Sequence, residues 1–558
     1  ERGGAMAAEP VTRIGTRPDV PPKGLLYSQL GYDAGDELRV VVRNGAEGGG
    51  VCRLEGPVVL ERALESWGEL WGSRWQVASF GDDVPAGIYR VEACGMSGEG
   101  LVVGEGRLMR PWREMALDNF ERRTLMPPDG PAWNDCGGHM QEAYSHALAV
   151  LGLLDLYEHT GEERGRLGGQ CRHGLTYLAR LQDLAQERGH PDGSLSHDTV
   201  RQRDVLLIPN AAKAAACWAR AWRVLDGAEQ ERAVWRRRAE RAASYVLNAE
   251  PHGAHGFVRH GHGLPPDWCV PRVHRTTDML AVLWAWVELG ELDRALALAD
   301  EVIARQVPVE RGESGLFGHF YTFCADHGLT ERAWSHCIAS DDEGGMVFGS
   351  DGGQAMPHAV LPIALLLRRY PEHPRAESWR KSLESFVTGF LLPACRLNPF
   401  GILPLGYVQG EGWLHFAGPW HGFNAVYGWT AALALELAKD LPSDAAELRQ
   451  TAVNNLQWVA GLNAGLTRDA AAACVFLTFD EQELPAGVAV PVSMIQGFGA
   501  RSVGGWTTLR GNVANGFAVG EQFKFDVPVT AAEDGPHAYT DEEWIPHAAA
   551  YLAGACRL

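Results

Sequence analysis

The sequence changes texture once, near residue 110, and that change constrains the fold more than any other feature. Between residues 24 and about 108, apolar and polar positions alternate over short runs. Examples are Leu38-Arg39-Val40-Val41-Val42, Trp75-Gln76-Val77 and Ile88-Tyr89-Arg90-Val91. Gly- and Asp-rich clusters separate them, as at Asn44 to Gly50 and Gly81-Asp82-Asp83, and Pro85-Ala86-Gly87 turns into the run at Ile88. A period of two broken by turn residues predicts a small β-sandwich. After Arg110-Pro111-Trp112 the period becomes that of a helix. Met140, Ala143, Tyr144, Ala147, Leu148, Leu151 and Leu154 share one pattern between His139 and Glu158.

The same spacing predicts further helices near 113–124, 168–187, 209–226, 230–248, 276–289, 291–306, 357–369, 376–391, 422–439, 444–461 and 544–555. Several are joined by short links such as Leu289-Gly290-Glu291 and Leu441-Pro442-Ser443, where Ser443 is the expected N-cap. About twelve helices in pairs fit an α-solenoid or a closed helical toroid. No fixed repeat period accompanies them, so the toroid is preferred. Long loops at 249–275, 308–352, 392–420 and 470–542 carry Trp, His and Phe, and they read as the walls of a cleft at one end of the helices.

Composition narrows the partners. The chain has 558 residues, 46% hydrophobic and 22% charged, within the globular range. Its net charge of −20 disfavours nucleic acid, and no polybasic run points to a membrane surface. No 18-residue apolar stretch is present to span a bilayer. The eleven cysteines are scattered without a CxxC pair and read as buried free thiols. Together with a Gly-, Pro- and Arg-rich stretch 1–23 that lacks an apolar core, they favour a cytoplasmic location. A secreted or periplasmic one follows if a leader has been removed.

Four features bear chemistry. The first is Trp133-Asn134-Asp135-Cys136-Gly137-Gly138-His139, leading into Gln141-Glu142 at a helix start. Asp135 there is either a helix-end cap or a base that positions water. The second is Thr540-Asp541-Glu542-Glu543-Trp544, which opens the last helix. A carboxylate beside Trp544 is either an ordinary first-turn acid or a general acid with a raised pKa. The third is a histidine-rich loop, His252, His255, His260, His262 and His274, with no Cys or carboxylate at ligand spacing. No metal site is expected there. The fourth is the aromatic content. Nineteen Trp are present, of which Trp218, Trp284 and Trp458 lie on helix faces. Trp133, Trp268, Trp413, Trp420 and Trp506 lie in loops, where sugar rings can stack on indole faces. No GxGxxG, Walker lysine, GxSxG or HExxH is present.

Taken together, these residues resemble the family 9 glycoside hydrolases, the cellulase-type enzymes with an N-terminal immunoglobulin-like domain. Leu26 to Asp33 resembles the first strand of that domain, and Pro85 to Val91 a later one. Trp133 to His139 is similar to the family's Trp-His-Asp-Ala-Gly-Asp-Tyr, and the helix after it ends Leu153-Leu154-Asp155-Leu156-Tyr157-Glu158, like the family's Leu-Leu-x-x-Tyr-Glu. Asn210 to Leu225, Asn424 to Leu437, Asn455 to Asn463, Met494 to Gly499 and Asn515 to Gly520 resemble later family segments. Glu543, with Gly554-Ala555 eleven and twelve residues on, is similar to the family's general acid and its Gly-Ala.

The resemblance implies an N-terminal β-sandwich (24–108), a linker (109–118) and an all-α (α/α)6 catalytic toroid (119–558). It implies a carbohydrate substrate in an end-on cleft; no cofactor is expected beyond a structural calcium. Glu543 inherits the acid role, and Asp135 matches the aspartate that helps hold water. The family's base position is occupied by Gly138, and the His-His-Arg substrate-binding motif is missing. Replacements for the base are Asp135, Glu142, Asp341 or Asp342. Glu142 lies four residues after Gly138, on nearly the same helix face. Asn134, His139 and His421 join the loop tryptophans as expected sugar contacts.

Three readings follow. The first is a divergent glycoside hydrolase cleaving an oligo- or polysaccharide by inversion. The second is a polysaccharide lyase on the same toroid, with Asn134, His139 and Tyr144 as its set. The third is a non-catalytic carbohydrate-binding relative.

Overall fold

A computed structural model describes residues 22–558 apart from 111–112, 126–129, 136–140, 201, 250–273, 312–315, 321–338, 341–345, 348–358, 405, 409–412, 416–423, 472–476, 478, 504–509, 518–529, 533–534 and 538–542. The alternating segment forms nine strands: β1 (Lys23–Leu26), β2 (Tyr32–Asp33), β3 (Arg39–Arg43), β4 (Val51–Glu55), β5 (Val59–Ala63), β6 (Glu65–Leu70), β7 (Ser73–Ser79), β8 (Gly87–Ala93) and β9 (Met96–Gly104). One sheet runs β2-β9-β8-β4-β5. The other runs β1-β3-β7-β6 and gains a fifth strand, Val488–Ala489, parallel to β1. The helical part of the chain therefore completes the second sheet.

That sheet has two buried faces. Val40 and Val42 of β3 point into the sandwich core, while Val41 between them joins the core of the helical body. A period of two with both faces apolar is what a sheet sandwiched between two layers requires. Hydrogen bonds fasten the join. Gln29 N–H donates to Ala460 O (2.9 Å), Gln457 Nε2 to Gly31 O (2.9 Å) and Arg43 Nη1 to Ala464 O (3.1 Å).

The helical body opens with α1 (Arg113–Arg122) and the short hairpin β10 (Thr124–Leu125) and β11 (Ala132–Trp133). It continues with α2 (Ala143–His159), α3 (Arg164–Glu187), α4 (Ile208–Val224), α5 (Glu229–Asn248), α6 (Thr276–Leu289), α7 (Leu292–Ala304), α8 (Leu361–Arg369) and α9 (Ala376–Glu384). The one-turn α10 (Leu392–Cys395) precedes α11 (Asn424–Leu437) and α12 (Ala445–Ala460), and the one-turn α13 (Arg468–Ala471) precedes α14 (Ile545–Ala555). Contacts run α2-α4-α6-α8-α11-α14 and back to α2, which closes a ring of six. The remaining long helices, α1, α3, α5, α7, α9 and α12, lie outside it.

Composition decides which helix goes where. Helices α6, α11 and α14 are buried along their whole length, as a helix apolar all round must be. Helices α3, α5 and α7 bury one stripe and stay outside. The inner six are parallel. Their starts meet through Ala425 N–H to His547 Nδ1 (2.9 Å) and Trp544 Nε1 to Ser145 Oγ (2.7 Å). Their ends meet through Arg557 to Asp155 (3.0 Å) and Arg368 to Glu436 (2.9 Å). The fold is thus the sandwich followed by the (α/α)6 toroid.

Three local expectations change. The helix expected from His139 begins at Ala143, because the Asp135 carboxylate takes the Glu142 N–H outside it. The helix expected over 376–391 widens to a π-turn at Ser385–Leu391, where Gly389 O accepts the Phe317 N–H (3.0 Å). The N-cap of α12 is Asp444 rather than Ser443, whose hydroxyl bonds the Asp444 carboxylate (3.1 Å).

Candidate active site

All six inner helices begin at one end, so their unpaired N–H groups converge there and favour negative charge. Asp135 and Glu142 stand at this end, at the start of α2. Strand β11 delivers Asp135. The Trp133 N–H donates to His146 Nε2 (2.9 Å), which leaves the proton on Nδ1 to bond Glu142 O (2.8 Å). Burial holds the His146 pKa down to about 3, so the ring stays neutral in this post. Asp135 Oδ2 then accepts the Glu142 N–H (2.9 Å), and Asp135 O accepts the Ile545 N–H (2.9 Å) from α14. The two ends of the sequence motif set, 410 residues apart, meet here.

Glu543 precedes α14 and is wholly buried. Its Oε1 lies 2.9 Å from Arg123 Nη2, and Asn512 Nδ2 donates to its Oε2. Arg123, at the end of α1, also bonds Asn119 Oδ1 (2.8 Å), Asn512 Oδ1 (2.8 Å), Asn134 O (2.8 Å) and Asp135 O (3.1 Å). One guanidinium therefore joins the Glu543 carboxylate to the Asp135 backbone. A carboxylate held by a guanidinium and a carboxamide is satisfied as an anion.

Glu142 differs from both. Its side chain keeps 21% of its surface exposed. His197 Nε2 lies 3.4 Å from Glu142 Oε1, and Ser145 Oγ lies 3.4 Å from Oε2. His197 Nδ1 accepts from Asn210 Nδ2 (2.9 Å), which leaves the Nε2 proton facing Glu142. The backbone repeats the link, since Ala143 N–H donates to His197 O (2.8 Å).

Sequence reasoning missed Arg123, His197 and Asn512. No spacing marks an arginine at a helix end or a lone histidine in a loop. The available signal was positional: Asn210, Glu142 and Asn424 all stand at starts of inner helices. Trp133 does not line an open cleft. It is fully buried, with Phe120, His146 and His173 around its ring and Gln170 Oε1 on its indole N–H (3.0 Å). Strand β11 packs against α3, so the indole fills core instead of meeting sugar. Asn134 is half-buried, and its carbonyl is engaged by Arg123. Tyr144 is buried against Trp544, with Lys213 over its ring. Trp413 lies in the hairpin Gly406–Val408/Trp413–His415. His139, Trp268, Trp420, His421, Trp506, Gly138, Asp341 and Asp342 lie outside the described residues. Among the described residues, no three His, Cys, Asp or Glu side chains converge to hold a metal ion. No described helix is long and apolar enough to cross a membrane.

No family profile and no curated protein matches the sequence. Solved structures do match in fold. A Bacteroides ovatus GH9 protein aligns over 96% of this chain and 98% of its own, with a TM-score of 0.57 and 14% identity. A thermostable endoglucanase from Alicyclobacillus acidocaldarius covers 96% and 99%, at TM-score 0.56 and 15% identity. A metagenome-derived glycoside hydrolase family 9 endoglucanase covers 95% and 98%, at 0.57 and 16%. Over nearly the whole chain, the fold is that of the family 9 glycoside hydrolases.

Proposed function

We propose that this protein is a divergent glycoside hydrolase of the family 9 type, with its site at the N-terminal end of the inner helix ring. The observation that carries this is the meeting of Asp135, Glu142 and Glu543 at that end, bonded through Arg123 and the α2 and α14 backbones. The fold it shares with a GH9 protein and with endoglucanases supports a carbohydrate substrate.

The roles divide by accessibility. Of the three carboxylates, Glu142 alone keeps solvent-exposed side chain, so it takes the base role absent at Gly138. Ser145 bonds one of its oxygens, and His197 Nε2 lies 3.4 Å from the other. Asp135 fixes the backbone from which Glu142 projects. Glu543 is the acid. To donate, it takes up a proton and gives up its ion pair with Arg123, whose guanidinium keeps four other acceptors. Inversion places acid and base about 6.5–9.5 Å apart with water between them.

The test is a panel of defined oligosaccharides, with the product anomer read by NMR. Hydrolysis with inversion supports the reading; intact substrates across the panel overturn it. One observation favours a second reading, a carbohydrate-binding protein without turnover. Glu543 is fully buried in an ion pair, and the family base position is glycine. Saturable sugar binding with no product, unchanged in Glu543→Gln, marks that outcome.

A further inference from the structure

The opposite end of the toroid holds a pocket. Its cavity volume is about 540 Å³, within the range of small-molecule sites. The inner helices end here, and arginines meet their terminal carbonyls. Arg368 donates to Glu436 O (2.8 Å), Arg369 to Val287 O (2.6 Å), Arg557 to Ala553 O (2.6 Å) and Arg232 to Trp222 O (2.9 Å). Such cations belong at helix C-termini.

These cations also outnumber the acids around them. Six arginines and Lys439 line the pocket against three acids, Glu158, Glu288 and Glu436. Asp155 and Asp440 pair with the arginines as well, so two positive charges remain unmatched. They can be located. Arg220, Arg223, Arg368, Arg557 and Lys439 each contact an acid. Among the described residues, Arg232 and Arg369 bond only carbonyl groups. Arg220, 2% exposed, keeps a buried Nε–H without an acceptor, 3.7 Å from Glu288 Oε1. Trp222 and Trp284 supply apolar wall. In a chain of net charge −20, a cavity with this balance is a local reversal of sign.

We propose that this pocket binds a small oxyanion bearing about two negative charges, a phosphate or a dicarboxylate, gripped by Arg232 and Arg369. Guanidinium forks match the paired oxygens of both groups. The site is separate from the carboxylate end and does not depend on it.

Thermal unfolding and calorimetric titration of the full chain test this with sodium phosphate and sodium succinate, each against sodium chloride at matched ionic strength. A saturable rise in midpoint of about 2 °C at a hundredfold excess over Kd is expected for at least one anion. Phosphate alone, succinate alone or both identifies the source. Arg232→Gln and Arg369→Gln, at positions paired with no acid, should each weaken binding about tenfold and leave the fold intact. Shifts equal to those of chloride overturn the proposal. So does binding that survives unchanged in the double variant, because the anion then sits elsewhere.

Discussion

At the scale of single residues, the site rests on buried polar groups whose partners are all internal. Removing one partner strands the other. Arg123→Met leaves the Glu543 carboxylate uncompensated, at a cost of about 3–5 kcal/mol of stability. The double variant Arg123→Met/Glu543→Leu should regain most of that in denaturant titration; equal losses in the single and double variants contradict the pairing. His547 offers a pH signal. Burial holds its pKa down to about 3, against roughly 6.5 in the unfolded chain. Below pH 6.5 the unfolded state gains a proton that the folded state refuses. Stability therefore falls as pH drops, by up to about 1.4 kcal/mol per pH unit until pH 3. His547→Asn should be less stable at pH 8 and show a shallower decline toward pH 4. An unchanged slope contradicts the neutral assignment. Little of this was legible in the sequence. Asp135 and Glu543 stood out because the segments around them resemble family 9 motifs. Arg123 and His197 did not, since their roles come from segments brought together only by folding.

At the scale of elements, helix character was legible and helix ends were not. Periodicity marks the apolar stripe of α12 or α3, but the start of α2 is set by a carboxylate that lies seven residues before Glu142. The placement of inner and outer helices follows burial all round or on one stripe, which the sequence carries. Close contact within the inner ring depends on glycine. A Cβ at Gly428 of α11 would meet the Ala550 backbone of α14, and one at Gly152 of α2 would meet the Ala549 carbonyl. Gly428→Ala gains helix propensity yet forces these helices apart, so a net loss of about 1–3 kcal/mol is expected. A stabilised variant in calorimetry refutes the close approach. The tryptophans divide by the same logic. Trp218, Trp284 and Trp458 are core, as their helix positions imply. Trp133 is also core, although its loop setting implied a sugar platform.

At the scale of the whole molecule, the sandwich and the toroid share a sheet and a hydrophobic layer. Trp71, Trp75, Phe400 and Trp458 form a contiguous aromatic group across the join. A single calorimetric transition is therefore expected, and two transitions with independent midpoints contradict the shared core. The two textures of the sequence made both layers legible. They could not disclose that Val488–Ala489, far along the chain, supplies the fifth strand. The toroid also sorts charge. Helix starts gather the candidate catalytic carboxylates, and helix ends gather the arginines. The central claim is that the first of these ends hydrolyses glycosidic bonds with Glu142 as the base. The most direct measurement compares wild type, Glu142→Gln and Asp135→Asn on one unactivated oligosaccharide found cleavable in the panel, with unfolding midpoints recorded alongside. Glu142→Gln should lose activity by roughly 10²–10⁴-fold with its midpoint unchanged. Asp135→Asn, which keeps an oxygen for the Glu142 N–H, should lose far less. Full turnover in Glu142→Gln, with Asp135→Asn inactive, would contradict the account and move the base to Asp135.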